Sequence, residues 1–192
     1  MTDYAIGTGD FIRPHSSPWG SPHIRTCKLS TGISSNIIYI GSIVGIDVNS
    51  TAFRDCVSPS SLTSNTVVST QIVGVAAEGP GASASSPSST NVQGTIIPVW
   101  DANPSCEFRA RTKNGLLNST LVGEVHDILW DSTMHVHLIN VGASSLGTAA
   151  PRALITGLLD ASGDSGGLVT FKFIPRDVTS SLSTANLLAY WK

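Results

Sequence analysis

Residues 163–167 read Gly-Asp-Ser-Gly-Gly and hold the serine best placed to do chemistry. A serine becomes a nucleophile only beside a general base that is itself oriented by a carboxylate, and loop N–H groups can then hold the oxyanion. The imidazoles available are His15, His23, His126, His135 and His137. His135-x-His137 puts two of them on one face of a strand, a spacing that suits a metal pair. Glu124 and His126 lie upstream, and a hairpin turning at Asp131-Ser132-Thr133 would bring His126 towards that pair. The competing reading is a solvent-facing or interface strand face that carries histidines.

The pentapeptide is the nucleophile loop of chymotrypsin-like serine proteases, whose triad runs His, Asp, Ser in chain order on two β barrels. His15 and His23 precede any β-rich segment. His126 is too close to Ser165 for a barrel to fit between them, and too few residues follow Ser165 to build a specificity pocket. The stronger reading is structural. Gly163, Gly166 and Gly167 supply turn conformations, and Asp164 and Ser165 bond the loop backbone. No glutamate follows His137 as in a cupin site. GTGDFI near the start has no strand before it, so it is not a nucleotide loop. Asp160 and Asp164 form a possible carboxylate pair with nothing around them to frame a sugar. Asn118-Ser119-Thr120 is a formal glycosylation sequon. Cys27, Cys56 and Cys106 are widely spaced and odd in number, which reads as reduced thiols in a protein folded in a cytoplasm.

These residues are carried by segments of β character. Alternation or β-branched enrichment marks 23–29, 36–48, 66–78, 92–101, 106–112, 126–131, 134–141, 152–160 and 167–174. Phe108 and Ala110 alternate with Arg109 and Arg111, and Val169, Phe171 and Phe173 with Thr170 and Lys172. Gly41 and Gly45 interrupt 36–48 with a bend or bulge. Helical spacing is weak throughout, with 52–57 and 184–190 as the best short candidates. Strands at intervals of about 8–12 residues with turn residues between them indicate an all-β barrel or sandwich.

Three regions follow. Residues 1–23 form an extended N-terminal arm, because Pro14, Pro18 and Pro22 remove ladder donors. Its Phe11 and Trp19 still need burial, on this domain or on a neighbour. Residues 24–175 form the β domain, with 78–94 a low-complexity loop and 143–151 a second loop. Residues 176–192 form a C-terminal tail whose Tyr190 and Trp191 either close the barrel or dock on a partner.

The 192-residue chain is 41% hydrophobic, enough to bury a core. Only 12% of its residues are charged, against about 25% in soluble proteins generally. Such a surface is readily covered by a partner without burying ions, as an assembly subunit requires. The net charge of −2 and the lack of a Lys/Arg cluster argue against nucleic acid. No apolar run is long enough to span a membrane, and the start lacks the features of a secretory signal.

In order, IPVWDANPSCEFRART (97–112), STLVGEVHDILWD (119–131) and ITGLLDASGDSGGLVTFKF (155–173) resemble the head decoration (cement) proteins of tailed phages of marine and cyanobacterial hosts. FIRP (11–14), SIVGID (42–47) and IVGVAAE (72–78) fit the same pattern more loosely. The resemblance implies a small β barrel or sandwich, made in the host cytoplasm, that sits as a trimer on the capsid exterior and clamps adjacent major capsid proteins. It implies no catalysis, cofactor or metal. Phe11, Arg13, Trp19, Arg109, Arg111, Arg152, Tyr190 and Trp191 are then the expected contacts with the capsid or a neighbour. The alternatives are another virion β protein, such as a fibre base or tail component, or a cupin-like or glycan-binding module.

Overall fold

In the computed structural model, backbone that alternates apolar and polar side chains pairs into two sets of strands. The structure describes residues 2–6, 10–18, 20, 22–29, 39–46, 56–58, 72–77, 96–131, 133–134, 136–142 and 152–174. The strands are β1 (Arg13–Ser16), β2 (Ile24–Leu29), β3 (Ile43–Ile46), β4 (Cys56–Ser58), β5 (Ile72–Ala76), β6 (Ile96–Asp101), β7 (Glu107–Lys113), β8 (Val125–Asp131), β9 (Val136–Asn140), β10 (Arg152–Leu158) and β11 (Leu168–Ile174). The expected all-β class holds, and a single 3-10 turn at Ser119–Leu121 is the helical element among the described residues. The Asn118 side chain caps that turn by accepting from the Thr120 N–H at 3.2 Å.

The first set is a closed five-stranded barrel in the order β2-β4-β3-β5-β6. Its interior cluster is Cys27, Val44, Ala76, Ile97 and Val99, with Val73 against it. Cys27 is buried there, and Cys106 is buried in the shared core. The register of β3 against β5 shifts between Val44 and Gly45, the bulge foreseen at that glycine.

The second set is ordered β1-β7-β11-β10-β8-β9. Thr112 and Lys113 of β7 also pair in parallel with Ile139 and Asn140 of β9. The pairings of β7, β11, β10, β8 and β9 therefore run in a closed circuit, and β1 is added along the first half of β7. Phe108, Phe171 and Phe173 meet at its centre, with edge-to-face contacts at 5.1 Å between Phe173 and each of the other two. Ile43 and Val75 of the barrel belong to the same buried cluster, so the two sets share a core.

One expectation changes. Residues 56–58 are a strand, not the end of a short helix, because β4 pairs with both β2 and β3 and long-range pairing overrides weak local spacing. The described part of the N-terminal arm docks on this domain, one of the two surfaces expected for it. Ile12 is fully buried in the shared core, and β1 pairs with β7 as an edge strand, where a proline is tolerated. Gly41, at φ +78°, leaves no room for a Cβ because Phe11 packs on it, so Phe11 docks on its own barrel. The expectations for Trp19, 78–94, 143–151 and 176–192, the last including Tyr190 and Trp191, fall outside the described residues.

Candidate functional site

Gly163 and Gly166 take positive φ values of 96° and 64°, so the 163–167 loop turns on its glycines as its composition requires. The turn presents a backbone slot that the chain's own N-terminal segment fills. Ser165 N–H donates to the Thr2 carbonyl at 2.9 Å, and Tyr4 N–H donates to the Ser165 carbonyl at 3.0 Å. The buried Asp164 accepts from the Thr2 N–H at 2.6 Å, the short distance of a charge-assisted bond. On the other side Leu116 bridges to Ser165, and Leu117 N–H donates to the Asp164 carbonyl at 2.8 Å. A Cβ at Gly166 would crowd the Tyr4 carbonyl at 2.8 Å. Ser165 thus acts through its backbone, as a short strand between Asp3 and Leu116.

Arg111, projecting outward from β7, locks this dock. Its Nε–H donates to Asp10 at 3.0 Å, and its Nη1 donates to Asp160 at 3.2 Å and to the Gly166 carbonyl at 3.4 Å. The guanidinium lies 4.7 Å from the centre of the Tyr4 ring. Asp160 also accepts from the Leu168 N–H at 2.9 Å, which ties the loop to the start of β11. Arg111 therefore spends its fork on carboxylates of its own chain. Asp160 and Asp164 do not act as a pair: one holds Arg111 and the other holds Thr2.

No described histidine hydrogen-bonds Ser165. His126 is buried in β8, with Nδ1 3.0 Å from the Asn140 carbonyl and Nε2 3.2 Å from Glu124. His137 faces Trp130 across the β8–β9 pair, their ring centres 4.7 Å apart. That register puts His126 at the far end of the hairpin from His137, so the turn does not assemble a three-histidine site from them. His135 lies outside the described residues. Neither nitrogen of the fully buried His137 has a hydrogen-bond partner among the described residues. Burial pushes its pKa down to about 3, and the polar backbone at Gly41, short of hydrogen-bond geometry, opposes the shift.

The remaining predicted contacts lie elsewhere. Arg13 and Arg109 face one another across the β1–β7 pair. The Arg13 guanidinium stacks 5.5 Å from the centre of the Phe11 ring. Arg152 begins β10 opposite Asp127. Sequence reasoning missed two outward isoleucines on the barrel: Ile24 is 52% and Ile96 65% exposed, at opposite ends of the β2–β6 pair. The signal for Ile96 was the run Ile96-Ile97, in which one isoleucine must face away from the core. Trp100, which pairs with Ile24, lines an open cleft of about 320 Å³ with the arm residues Phe11, Arg13, Pro14, His15 and Pro22.

No protein-family model, curated protein or solved structure matches the chain.

Proposed function

We propose that this protein is a structural virion component that binds the outer surface of a phage capsid and cements adjacent major capsid proteins, as a trimer and without catalysis or a cofactor. The reading starts from the sequence resemblance of 97–112, 119–131 and 155–173. The observation that carries it further is where the chemistry and the apolar surface fall. The Gly-Asp-Ser-Gly-Gly loop is committed to docking Thr2–Tyr4, whereas the barrel turns Ile24 and Ile96 to solvent, Ile24 beside the cleft walled by Phe11, Pro14, Pro22 and Trp100. Isolated exposed apolar residues are ordinary, but one beside a concave, largely apolar wall fits a surface that a partner covers.

Cosedimentation of the purified protein with emptied phage heads tests the reading. Wild type pellets with the heads at saturable stoichiometry. The double substitution Ile24→Asp and Ile96→Asp abolishes pelleting while the circular dichroism of the soluble protein stays of β type. Absence of saturable binding by the wild type would refute the proposal. Removing residues 1–22 is the weaker test, because it takes away the buried Ile12 and the whole of β1.

A further inference from the structure

Across the antiparallel β1–β7 pair, Arg13 stands directly opposite Arg109. Residues in this relation have Cβ atoms about 5 Å apart, and like charges so placed destabilise a sheet unless an anion lies between them. No described carboxylate forms an ion pair with either arginine. The nearest acid along that face of β7, Glu107, accepts instead from the Ser16 hydroxyl at 2.8 Å. Thr170, facing Arg109 from β11, is turned to Thr156, with 2.9 Å between the hydroxyls. Arg111, two residues along, shows what the same face does when acids are supplied: it takes Asp10 and Asp160.

The Nε of Arg109 is buried and lacks a hydrogen-bond partner among the described residues, so no described acid neutralises Arg109 from that side either. A carboxylate bridging the terminal N–H groups of the two guanidiniums would screen their repulsion with charge-assisted bonds. Arg13 also lines the cleft walled by Phe11, Pro14, Pro22 and Trp100. A segment whose acidic side chain reaches the arginines thus has an apolar wall beside it for its neighbouring residue.

We infer that Arg13 and Arg109 form a binding site for an aspartate or glutamate side chain carried by an extended segment of a partner protein, with the Trp100 cleft taking the adjoining apolar residue. Identifying that partner as a capsid subunit rests on the function proposed above; the carboxylate site itself does not.

The test is an arginine Nε–H NMR titration of the full chain at constant ionic strength. The probes are the capped peptides acetyl-Gly-Glu-Gly-amide and acetyl-Gly-Gln-Gly-amide, and sodium succinate. The Glu peptide is expected to shift the Arg13 and Arg109 signals saturably and to leave Arg111 in place, while the Gln peptide moves neither. Arg109→Gln should abolish the Arg13 shift. Arg109→Lys, which keeps the charge but loses the planar fork, should weaken binding about tenfold. Equal shifts from both peptides, no saturation, or an Arg111 shift as large as that of Arg109 would overturn the site. Succinate binding tenfold tighter than the Glu peptide would overturn the protein segment as its occupant. Wild type that binds phage heads but gives no carboxylate shift leaves the proposed function standing and removes this site. A carboxylate shift without head binding does the reverse.

Discussion

The barrel and the β7–β11 circuit both close five strands, but they are held in different ways. Among the described residues the barrel's interior cluster contains no aromatic ring, whereas the circuit is centred on three phenylalanines. The circuit is also braced from outside by β1, by the Thr2–Tyr4 dock and by Arg111. Part of the barrel's own apolar surface, including Ile43 and Val75, is spent on the shared core. Among the described residues the circuit is thus the better-braced platform, and the barrel shares its core. Ile24 and Ile96 belong to the barrel, and the cleft lies where Trp100 of β6 meets the arm.

The largest expected effect is at the platform. Phe171→Ala should cost about 3–5 kcal/mol and remove a single cooperative transition in urea, because the cavity opens in the core that both regions share. Ile97→Ala, inside the barrel cluster, should cost about 2–4 kcal/mol and leave near-ultraviolet signals of the circuit in place at low urea. A barrel that stays folded after Phe171→Ala would break the comparison.

Acid should act at the junction next. The folded-state pKa of His137, about 3, lies below its ordinary value of 6.5. Between those values the unfolded chain binds a proton that the folded chain refuses. Its contribution is therefore complete above about pH 6.5 and is lost as pH falls towards 3, by about 5 kcal/mol at most. Urea midpoints at pH 7 and pH 4, read through tryptophan fluorescence, measure this loss, and His137→Leu should flatten it. A wild-type curve as flat as that of the variant would show that water reaches the ring.

Arg111→Gln should cost about 2–3 kcal/mol, since it takes the guanidinium away from the partly buried Asp10 and Asp160. The smallest effects sharpen the contrast. Lys113→Met breaks the 2.7 Å pair with Asp131, whose pKa that lysine holds below the usual carboxylate value. The lysine is 41% exposed, so the loss should stay below about 1 kcal/mol in urea and shrink further in salt. Ser165→Ala should fall within about 0.5 kcal/mol of wild type, because the dock uses the serine backbone.

Much of this architecture was legible in the residue pattern, and the exceptions share a cause. The alternation in 106–112 and 167–174 foretold β7 and β11, their phenylalanines inward and Arg109 and Arg111 outward. Period two is a local property of a half-buried strand. β4 was not legible, because its only reason to be extended is pairing with β2 and β3. β1 was obscured by Pro14, which argues against a strand until an edge position is known. The candidate sites were less legible still. Arg13 facing Arg109, Arg111 gathering Asp10 and Asp160, and Thr2 crossing to Asp164 are all matters of register between distant segments. Separating His126 from His137 likewise needed the β8–β9 register.

The 163–167 loop docks the N-terminal segment through its backbone. Amide hydrogen exchange at Tyr4 and Ser165, compared between wild type and Asp164→Ala, is the sharpest test of that dock. Both amides should be protected in the wild type, and both should exchange much faster in the variant while the β11 amides stay slow. Exchange of Tyr4 and Ser165 at unprotected rates in the wild-type protein would show that the N-terminal segment does not dock on the loop.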